Sequence, residues 1–433
     1  MRTPPARTRR SCPAAVRRSR MRRNTDTENM HILYTGPVSL DILTSELPFA
    51  EVLHDDAFRF DMGSRLVLGF LARGHRVTVL KLTDCVRRDE TRTCGNLTLK
   101  LFPGRPVREQ YRHFYHHEVK TLARAIRETR PEVVFAQWTY EFARAALVSG
   151  YPALVVAHDS PWRILALMRD KARWLRTFYS QFLVFTKIKY LSAVSPYIVR
   201  EMRRFNLYFR KVRCIPNAIP LAPGRVNTKT IRPRGKTVFC VTDWSRRKNP
   251  QALLRAFARL HPRHPDWTLK ICGRGLSLDE EAGRFLRQEG LSPAGMELAG
   301  FKDHAWMDAV LRDEADVFIS PTLEESFGLV FLEAMAQGVP CIGGARSGAV
   351  PWVLGAEDAD GRPTPERAGG FLCDVRDSEQ IAAALETVLE DEGLRRAYSR
   401  NGFRRAQTEF DMSLCVDRYL DALACVSRGG KGW

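Results

Sequence analysis

The sequence lacks several features that would assign it quickly to a class of protein. No run of eighteen apolar residues occurs in its 433 residues, so no segment is predicted to cross a membrane as a helix. The ten cysteines are scattered without a Cys-x-x-Cys pair, which predicts buried free thiols in a reducing compartment and disfavours zinc or disulfides. No Asp-x-Asp metal motif follows a predicted strand. With 44% hydrophobic residues, the chain is globular and long enough for two domains.

Positive charge is concentrated in two segments. Of the formal net charge of +19, residues 1–30 supply +7 from nine Arg and two acids, and residues 163–213 supply +11 from thirteen Lys or Arg and two acids. The rest of the chain is close to neutral, and localised charge indicates a partner surface. Residues 1–29 lack an apolar h-region and hydrophobic periodicity, so we expect a disordered, non-catalytic tail.

Residues 163–213 also interleave basic side chains with large apolar and aromatic ones. Three interpretations stay open: ordinary core helices with a solvated basic face, a patch that binds an anionic membrane surface, or a nucleic-acid contact. No recognised nucleic-acid module accompanies the charge, so nucleic acid is the least favoured partner. Each basic residue near an anionic bilayer contributes about 1 kcal/mol to binding, so half of those in this segment would hold the protein at the membrane surface.

The stretch 316–344 has the pattern of a βαβ unit. Residues 316–319 form a short apolar run typical of a buried strand, a polar turn follows, and residues 327–337 show the apolar spacing of a helix. Gly338 is the expected helix stop, and the next strand begins at Val339. Ligands in such sheets bind beyond the carboxyl ends of the strands, so the turn predicts an anion site at the helix N-terminus.

Two carboxylates frame this turn. Glu325 lies within it, and Glu333 lies about one and a half turns into the helix. Carboxylates accept hydrogen bonds from vicinal hydroxyls while free amides neutralise phosphate, which suits a diphosphate carrying a sugar and a ribose. The segment 325–336, with the Gly-Val-Pro that follows it, resembles the E-x7-E signature of the retaining GT-B glycosyltransferases of the group 1 (GT4) family. The resemblance implies an α/β fold of the GT-B type, with two doubly wound Rossmann-like domains facing across a cleft.

The resemblance also implies roles for individual residues. Glu325 would hold hydroxyls of the donor sugar, and Glu333 would hold those of the ribose. His158, after a central strand of the first domain, would lie near the anomeric centre as a catalytic group; the alternative is an ordinary loop-capping histidine. The donor contacts implied within the turn and the helix start are Ser326, Phe327, Gly328 and Leu329.

Basic residues in the strand-to-helix loop 243–250 are expected to neutralise the donor diphosphate. Lys248 falls on the family's phosphate-binding lysine, whereas Asp243 occupies the position of its arginine. We therefore predict that Arg246, or else Arg247, takes over that role from a shifted position; solvated loop charges are the alternative. The resemblance implies two further donor contacts, Gly273 in a Gly-x-Gly loop and Phe301 beside the base.

The predicted domain organisation follows the same pattern along the chain. It comprises a basic tail (1–29), an acceptor-side Rossmann-like domain (30–219), a linker (220–235), a nucleotide-sugar-binding domain (236–409) and a crossover helix with a short tail (410–433).

The resemblance thus implies a retaining, metal-independent hexosyltransferase with no cofactor. A UDP- or GDP-linked sugar would be transferred to a hydroxyl of a glycan or lipid-linked acceptor, in bacterial cell-envelope polysaccharide synthesis. The leaving phosphate would deprotonate that hydroxyl, since no side chain is an obvious nucleophile. The expected location is the cytoplasm, with peripheral binding to the inner face of the membrane. The alternatives are a GT-B scaffold that has lost turnover, or an epimerase or phosphorylase of the same fold.

Overall fold

The computed structural model of the protein describes residues 29–55, 59–168, 170–222, 224–232 and 234–433. The predicted basic tail, residues 1–29, lies outside the described residues except for Asn29. The described chain forms two parallel-sheet α/β domains, and a last helix returns from the second domain to the first. This architecture confirms the predicted fold class.

The first domain is built on one eight-stranded sheet. Its strands are β1 (His31–Thr35), β2 (Arg76–Thr83), β3 (Glu90–Cys94), β4 (Leu97–Pro103), β5 (Val133–Gln137), β6 (Ala153–Ala157), β7 (Tyr190–Ala193) and β8 (Val212–Cys214). Their order in the sheet is β3-β4-β2-β1-β5-β6-β7-β8. All neighbours are parallel except the β3–β4 hairpin. The central strands β1, β5 and β6 are buried along their whole length, which explains their continuous apolar sequences.

The second domain contains a six-stranded, fully parallel sheet. Its strands are β9 (Thr237–Val241), β10 (Thr268–Cys272), β11 (Met296–Leu298), β12 (Val317–Ile319), β13 (Cys341–Gly344) and β14 (Gly370–Cys373). Their order is β11-β10-β9-β12-β13-β14. The chain reverses direction across the sheet between β9 and β12, and ligands in open α/β sheets bind at such a switch point.

Helices cover both sheets. Those of the first domain are α1 (Leu40–Glu46), α2 (Asp61–Ala72), α3 (Val107–Arg112), α4 (His116–Thr129), α5 (Glu141–Ser149), α6 (Pro161–Met168), α7 (Lys171–Phe178), a π-helical segment (Tyr179–Phe185) and α8 (Pro196–Arg204). Those that follow are α9 (Pro250–Leu260), α10 (Glu281–Gln288), α11 (His304–Ala309), a π-helical segment (Val310–Glu314), α12 (Leu329–Ala336), α13 (Val350–Val353), a 3-10 turn (Pro365–Arg367), α14 (Ser378–Glu390), α15 (Glu392–Glu409) and α16 (Met412–Ser427). Among the described residues, no helix combines the length and the apolarity needed to span a bilayer.

The last helix, α16, ties the two domains together. Before it, the Ile219 amide donates to the Phe410 carbonyl (3.2 Å), which joins the end of the first domain to the end of α15. The helix then packs on α2, β5 and β6, with the Tyr419 ring 4.9 Å from the Phe135 ring. Gly69 allows this close approach, because a Cβ there would lie 2.4 Å from a methyl group of Val416.

The carboxyl edges of the two sheets face each other. Ser195 follows β7 and Ser326 follows β12, and the Ser195 hydroxyl donates to the Ser326 carbonyl over 2.7 Å. The same hydroxyl accepts the Ile198 amide at the start of α8, which fixes its orientation. The loops after the parallel strands therefore meet at the domain interface, where both domains can contact one ligand.

Candidate active site

The turn between β12 and α12 has a fixed shape. Gly328 precedes the helix with φ = 95°, a left-handed conformation that favours glycine. Phe327 is buried, and its ring lies 5.3 Å from Phe410 and 6.2 Å from Trp352. Leu329 begins the helix and lines the interdomain cleft. Because Phe327 is anchored in the core, the N-terminus of α12 is held at the cleft, where the Phe331 amide donates to the Gly328 carbonyl over 3.0 Å.

Glu325 is the centre of a cluster of cations. Its Oε1 accepts from Lys248 Nζ at 2.5 Å and from Arg247 Nη1 at 3.3 Å, and the Thr322 hydroxyl donates to it at 3.3 Å. Burial alone would raise the pKa of this carboxyl, but Lys248 and Arg247 outweigh burial and hold the pKa below its ordinary value. Glu325 is therefore ionised at neutral pH and accepts hydrogen bonds only.

The loop after β9 brings the cations to this position. Asn249 adopts a left-handed conformation before α9, and its amide donates to the carbonyls of Pro321 (3.3 Å) and Val375 (2.8 Å). Arg247 is part-buried and also donates to the Glu324 carbonyl (3.0 Å), whereas Arg246 is exposed to solvent. Of the two arginines considered for phosphate binding, the structure places Arg247, rather than the favoured Arg246, beside Glu325 and Lys248.

The glycine loop after β10 lies against the end of β9. A Cβ on Gly273 would lie 1.6 Å from the Thr242 carbonyl oxygen, so only glycine fits between these strand ends. The Gly273 amide donates to the Gly300 carbonyl at 2.8 Å, which brings Phe301 to the same edge of the sheet. Phe301 is 70% exposed, and the Arg274 guanidinium lies 5.8 Å from the centre of its ring. An exposed ring of this kind can stack on a planar ligand.

Glu333 faces a cleft of about 350 Å³ between the domains. The second domain contributes Glu333, His304 and Asp308 to its lining, and the first domain contributes Asp61 and Arg65. Burial, with the nearby charges of Asp308 and Asp61, raises the pKa of Glu333 to about 7. Within the described part of the chain, no three His, Cys, Asp or Glu side chains gather as metal ligands would.

His158 lies in an aromatic pocket of the first domain. Its ring stacks on Trp138 at 4.2 Å and meets the edge of Phe60 at 5.2 Å. Nε2 lies 2.7 Å from Gln137 Oε1, and burial lowers the pKa of the imidazole to about 3. His158 is therefore neutral at pH 7, so it supplies hydrogen bonds but no positive charge to a bound diphosphate.

A second contact joins the domains beside the cation cluster. The Tyr197 hydroxyl donates a short hydrogen bond to Glu324 Oε1. Burial raises the pKa of Glu324 to about 7, although the Tyr197 hydrogen bond opposes that rise. The sequence analysis missed this pair, since Glu324 precedes the predicted Glu325 and nothing in the local pattern of Tyr197 points to the second domain.

Two family profiles of glycosyltransferases match consecutive parts of the chain. The profile "Glycosyl transferases group 1" matches residues 227–405, and the profile "Glycosyltransferase Family 4" matches residues 64–223. Together they cover residues 64–405 apart from the three residues between them, and the chain belongs to this GT4 family of group 1 glycosyltransferases.

The chain is also similar to individual members of the family. A D-inositol 3-phosphate glycosyltransferase of Corynebacterium kroppenstedtii is 34% identical over 36% of this chain and 33% of its own length. A phosphatidyl-myo-inositol mannosyltransferase of Mycolicibacterium smegmatis is 32% identical over 45% of this chain and 47% of its own length. The matched stretches thus span between a third and a half of these relatives. The sucrose-phosphate synthase of Thermosynechococcus elongatus shares the fold, with a TM-score of 0.69 at 19% identity over 93% of this chain and 100% of that chain.

Proposed function

We propose that the protein is a retaining, metal-independent glycosyltransferase that moves a sugar from a UDP- or GDP-linked donor to a hydroxyl of a glycan or lipid-linked acceptor. The observation that carries the proposal is the convergence of Lys248 and Arg247 on Glu325, in the turn that leads into the N-terminus of α12. In this arrangement two cations and a helix N-terminus would stabilise a leaving diphosphate without a metal ion.

In the proposed mechanism, Lys248 and Arg247 bind the diphosphate and Glu325 binds hydroxyls of the donor sugar. The Glu325 carboxylate is itself paired with both cations, which places all three groups within reach of one donor. Glu333 accepts the ribose hydroxyls in the cleft, with Phe301 and the loop at Gly273 beside the base. His158 orients the sugar as a neutral hydrogen-bonding group.

The acceptor hydroxyl loses its proton to the leaving phosphate in this proposal. Glu325 is the carboxylate that Lys248 and Arg247 contact, but its lowered pKa and two ion pairs make it a weak base and a weak nucleophile. The relative named as a phosphatidyl-myo-inositol mannosyltransferase supports a lipid-linked acceptor. We include in the proposal a role in bacterial cell-envelope polysaccharide synthesis at the inner face of the membrane.

Thermal unfolding of the protein with UDP, GDP, ADP and dTDP, without added metal, tests the donor site. A nucleotide at about 100 times its Kd stabilises the folded state by roughly 2.7 kcal/mol. We expect one nucleotide to raise Tm, and Glu333→Ala to abolish that rise. NMR of the anomeric proton of the first-formed product then tests retention, and an inverted anomer would refute the proposed stereochemistry.

Asp243 favours a second candidate function, a GT-B scaffold that binds nucleotide without turnover. It occupies the position of the family's phosphate-binding arginine, and within the described residues its buried Oδ1 has no hydrogen-bond partner. A carboxylate there would repel a diphosphate unless Arg247 compensates. A nucleotide-dependent rise in Tm, with no nucleotide released from any UDP- or GDP-sugar when acceptors are supplied, would favour the scaffold.

An exposed aromatic stripe supports a membrane partner. Trp174, Phe178 and Phe182 are 47%, 44% and 59% exposed, and consecutive rings stack with centroids 5.7 Å apart. They follow one another at four-residue spacing along α7 and the π-helical segment, and the strongly basic segment 163–213 contains them. Aromatic side chains with surrounding cations favour the interface of an anionic bilayer. We include docking of this stripe on the membrane in the proposed function.

Co-sedimentation with vesicles tests this membrane contact. The protein should bind vesicles that contain phosphatidylglycerol and should bind pure phosphatidylcholine much less. Replacing Trp174, Phe178 and Phe182 together by Ser should abolish binding, while Leu278→Ser, at an exposed apolar residue of the second domain, should leave it unchanged. Full binding by the triple variant would refute this surface, and salt-sensitive retention on DNA instead would indicate a nucleic-acid partner.

A further inference from the structure

A second interdomain cavity, of about 290 Å³, shares no lining residue with the cleft at Glu333. The first domain lines it with α6 and the start of α8, and the second domain lines it with the turn after β12 and the loops after β13 and β14. Its charged lining residues are three arginines, Arg163, Arg346 and Arg376, and one acid, Glu324. None of the residues assigned to donor binding lines it.

All three arginines have N–H groups that are not used within the protein. Arg346 is exposed, and its side chain makes no ion pair or hydrogen bond within the described residues. Arg376 lies 3.6 Å from Asp374 Oδ1, which is too far for a hydrogen bond. Arg163 donates through Nε to Glu201 Oε2 at 2.8 Å, so its two terminal amino groups are available to another acceptor. The cavity therefore offers hydrogen-bond donors from both domains to one ligand.

The loop that carries Arg346 is held firmly against the turn after β12. The hydroxyl of the next residue, Ser347, donates to the Thr322 carbonyl over 2.6 Å. Gly348 has φ = 68°, and a Cβ there would lie 2.3 Å from the Glu325 carbonyl oxygen, so glycine allows the two backbones to approach. Because the backbone is already ordered, a ligand has to immobilise only the arginine side chain, which lowers the entropic cost of binding.

The charge of the cavity favours an anion. Glu324 is its one acidic lining residue, and Oε1 of Glu324 accepts a hydrogen bond from Tyr197. Burial raises the pKa of Glu324 to about 7, although Tyr197 and Arg163 oppose that rise. Glu201 and Asp374, the carboxylates near two of the arginines, do not line the cavity. Three guanidinium groups thus face at most one carboxylate, and an anion between them would relieve their mutual repulsion.

We propose that this cavity binds a phosphate group, either as free phosphate or as the phosphomonoester of a small molecule, and that this ligand is an effector that joins the two domains. Guanidinium groups match the geometry of phosphate oxygens through paired hydrogen bonds. Arg163 contacts the ligand from the first domain, and Arg346 and Arg376 contact it from the second. The bound anion thereby holds the domains in the arrangement in which Tyr197 meets Glu324. The binding itself does not depend on glycosyl transfer.

Titration calorimetry and thermal unfolding of the full chain test this site with inorganic phosphate and with glycerol 3-phosphate, each compared with sodium chloride at equal ionic strength. We expect at least one of them to bind and to raise Tm. Its Kd should rise about tenfold or more in Arg346→Gln and in Arg376→Gln, since each loses a charged hydrogen bond. Arg362→Gln, at a side chain of the same domain that is 77% exposed, is the matched control and should bind like the unmodified protein. The Tm of each variant without ligand confirms that it is folded.

Two further variants separate this site from its alternatives. Arg163→Gln should also weaken binding, because the first domain supplies part of the site, and an unchanged Kd would refute the joining of the domains. Lys248→Ala should bind phosphate like the unmodified protein, because Lys248 belongs to the donor site. Loss of binding in Lys248→Ala with full binding in Arg346→Gln would place the anion in the donor site and overturn the proposal.

The two probes identify the source of the phosphate group. Tighter binding of glycerol 3-phosphate would assign a phosphomonoester as the ligand, and tighter binding of inorganic phosphate would assign the free anion. The proposal is wrong if neither probe binds, or if Arg346→Gln and Arg376→Gln bind as well as Arg362→Gln.

Discussion

We expect the ionised form of Glu333 to destabilise the folded protein and to strengthen donor binding. Its pKa is raised to about 7 by burial and by the charges of Asp308 and Asp61. An acid with a higher pKa in the folded state than in the unfolded state loses its proton more readily on unfolding, so its ionisation destabilises the folded protein. This penalty is absent well below pH 4.5, grows as the pH rises to 7, and is constant above that.

Glu333→Gln removes the penalty because the amide does not ionise. A rise of the pKa from 4.5 to about 7 corresponds to roughly 3 kcal/mol, and about 2.5 kcal/mol of that develops between pH 5 and pH 8. We therefore expect the free energy of unfolding of Glu333→Gln, relative to that of the unmodified protein, to increase by about 2–3 kcal/mol from pH 5 to pH 8. Arg65 and His304 line the same cleft and are present in both proteins, so the comparison isolates Glu333.

The same variant should bind nucleotide more weakly. A ribose diol donates two hydrogen bonds to an ionised carboxylate, and losing one charged hydrogen bond costs about 1.5–3 kcal/mol, or roughly a 10- to 150-fold rise in Kd. Thermal and denaturant unfolding at pH 5 and pH 8, with and without UDP or GDP, measures both effects. Glu366→Gln, at an exposed site, reports the general effect of removing one charge.

Two outcomes would refute this reasoning about Glu333. A stability difference that does not change with pH would show that the carboxyl is not held near neutral pKa by its surroundings. An unchanged nucleotide affinity in Glu333→Gln would show that the carboxylate does not bind the ribose, even if the stability prediction holds.

Three other predictions concern the cation cluster and the domain contact. Lys248→Ala should lower kcat/KM by about 2–3 kcal/mol, or roughly 30- to 150-fold, and an unchanged value would rule out its phosphate contact. Arg247→Ala should lower kcat/KM by a comparable amount, and Arg246→Ala should lower it much less. Equal losses of kcat/KM in steady-state assays would contradict the assignment of Arg247, rather than Arg246, as the phosphate-binding arginine. Tyr197→Phe removes the hydrogen bond that opposes the raised pKa of Glu324, so Tm should fall more at pH 8 than at pH 5, by the equivalent of about 1 kcal/mol. An equal fall at both pH values would show that this contact acts through packing alone.

Much of the fold could be predicted from local sequence. The strand predicted at 316–319 is β12 (Val317–Ile319), and the strand predicted after Gly338 is β13 (Cys341–Gly344), because buried parallel strands carry short continuous apolar runs. The helix expected over 327–337 is Leu329–Ala336, shortened because Gly328 adopts a left-handed conformation. Local patterns were less informative in the stretch 38–59, where α1 was not predicted, and in residues 90–103, where the β3–β4 hairpin depends on pairing between strands.

The sequence by itself determined the family, the two-sheet architecture and the loop that carries Glu325 and Glu333, since these depend on short, contiguous motifs. Only the tertiary structure decided that Arg247 contacts Glu325, that His158 is neutral, and that Tyr197 of the first domain donates to Glu324 of the second. Each of these properties depends on residues distant in sequence and on how far water is excluded. A pKa or an ion pair is set by burial and by neighbouring charges, which a linear motif does not specify.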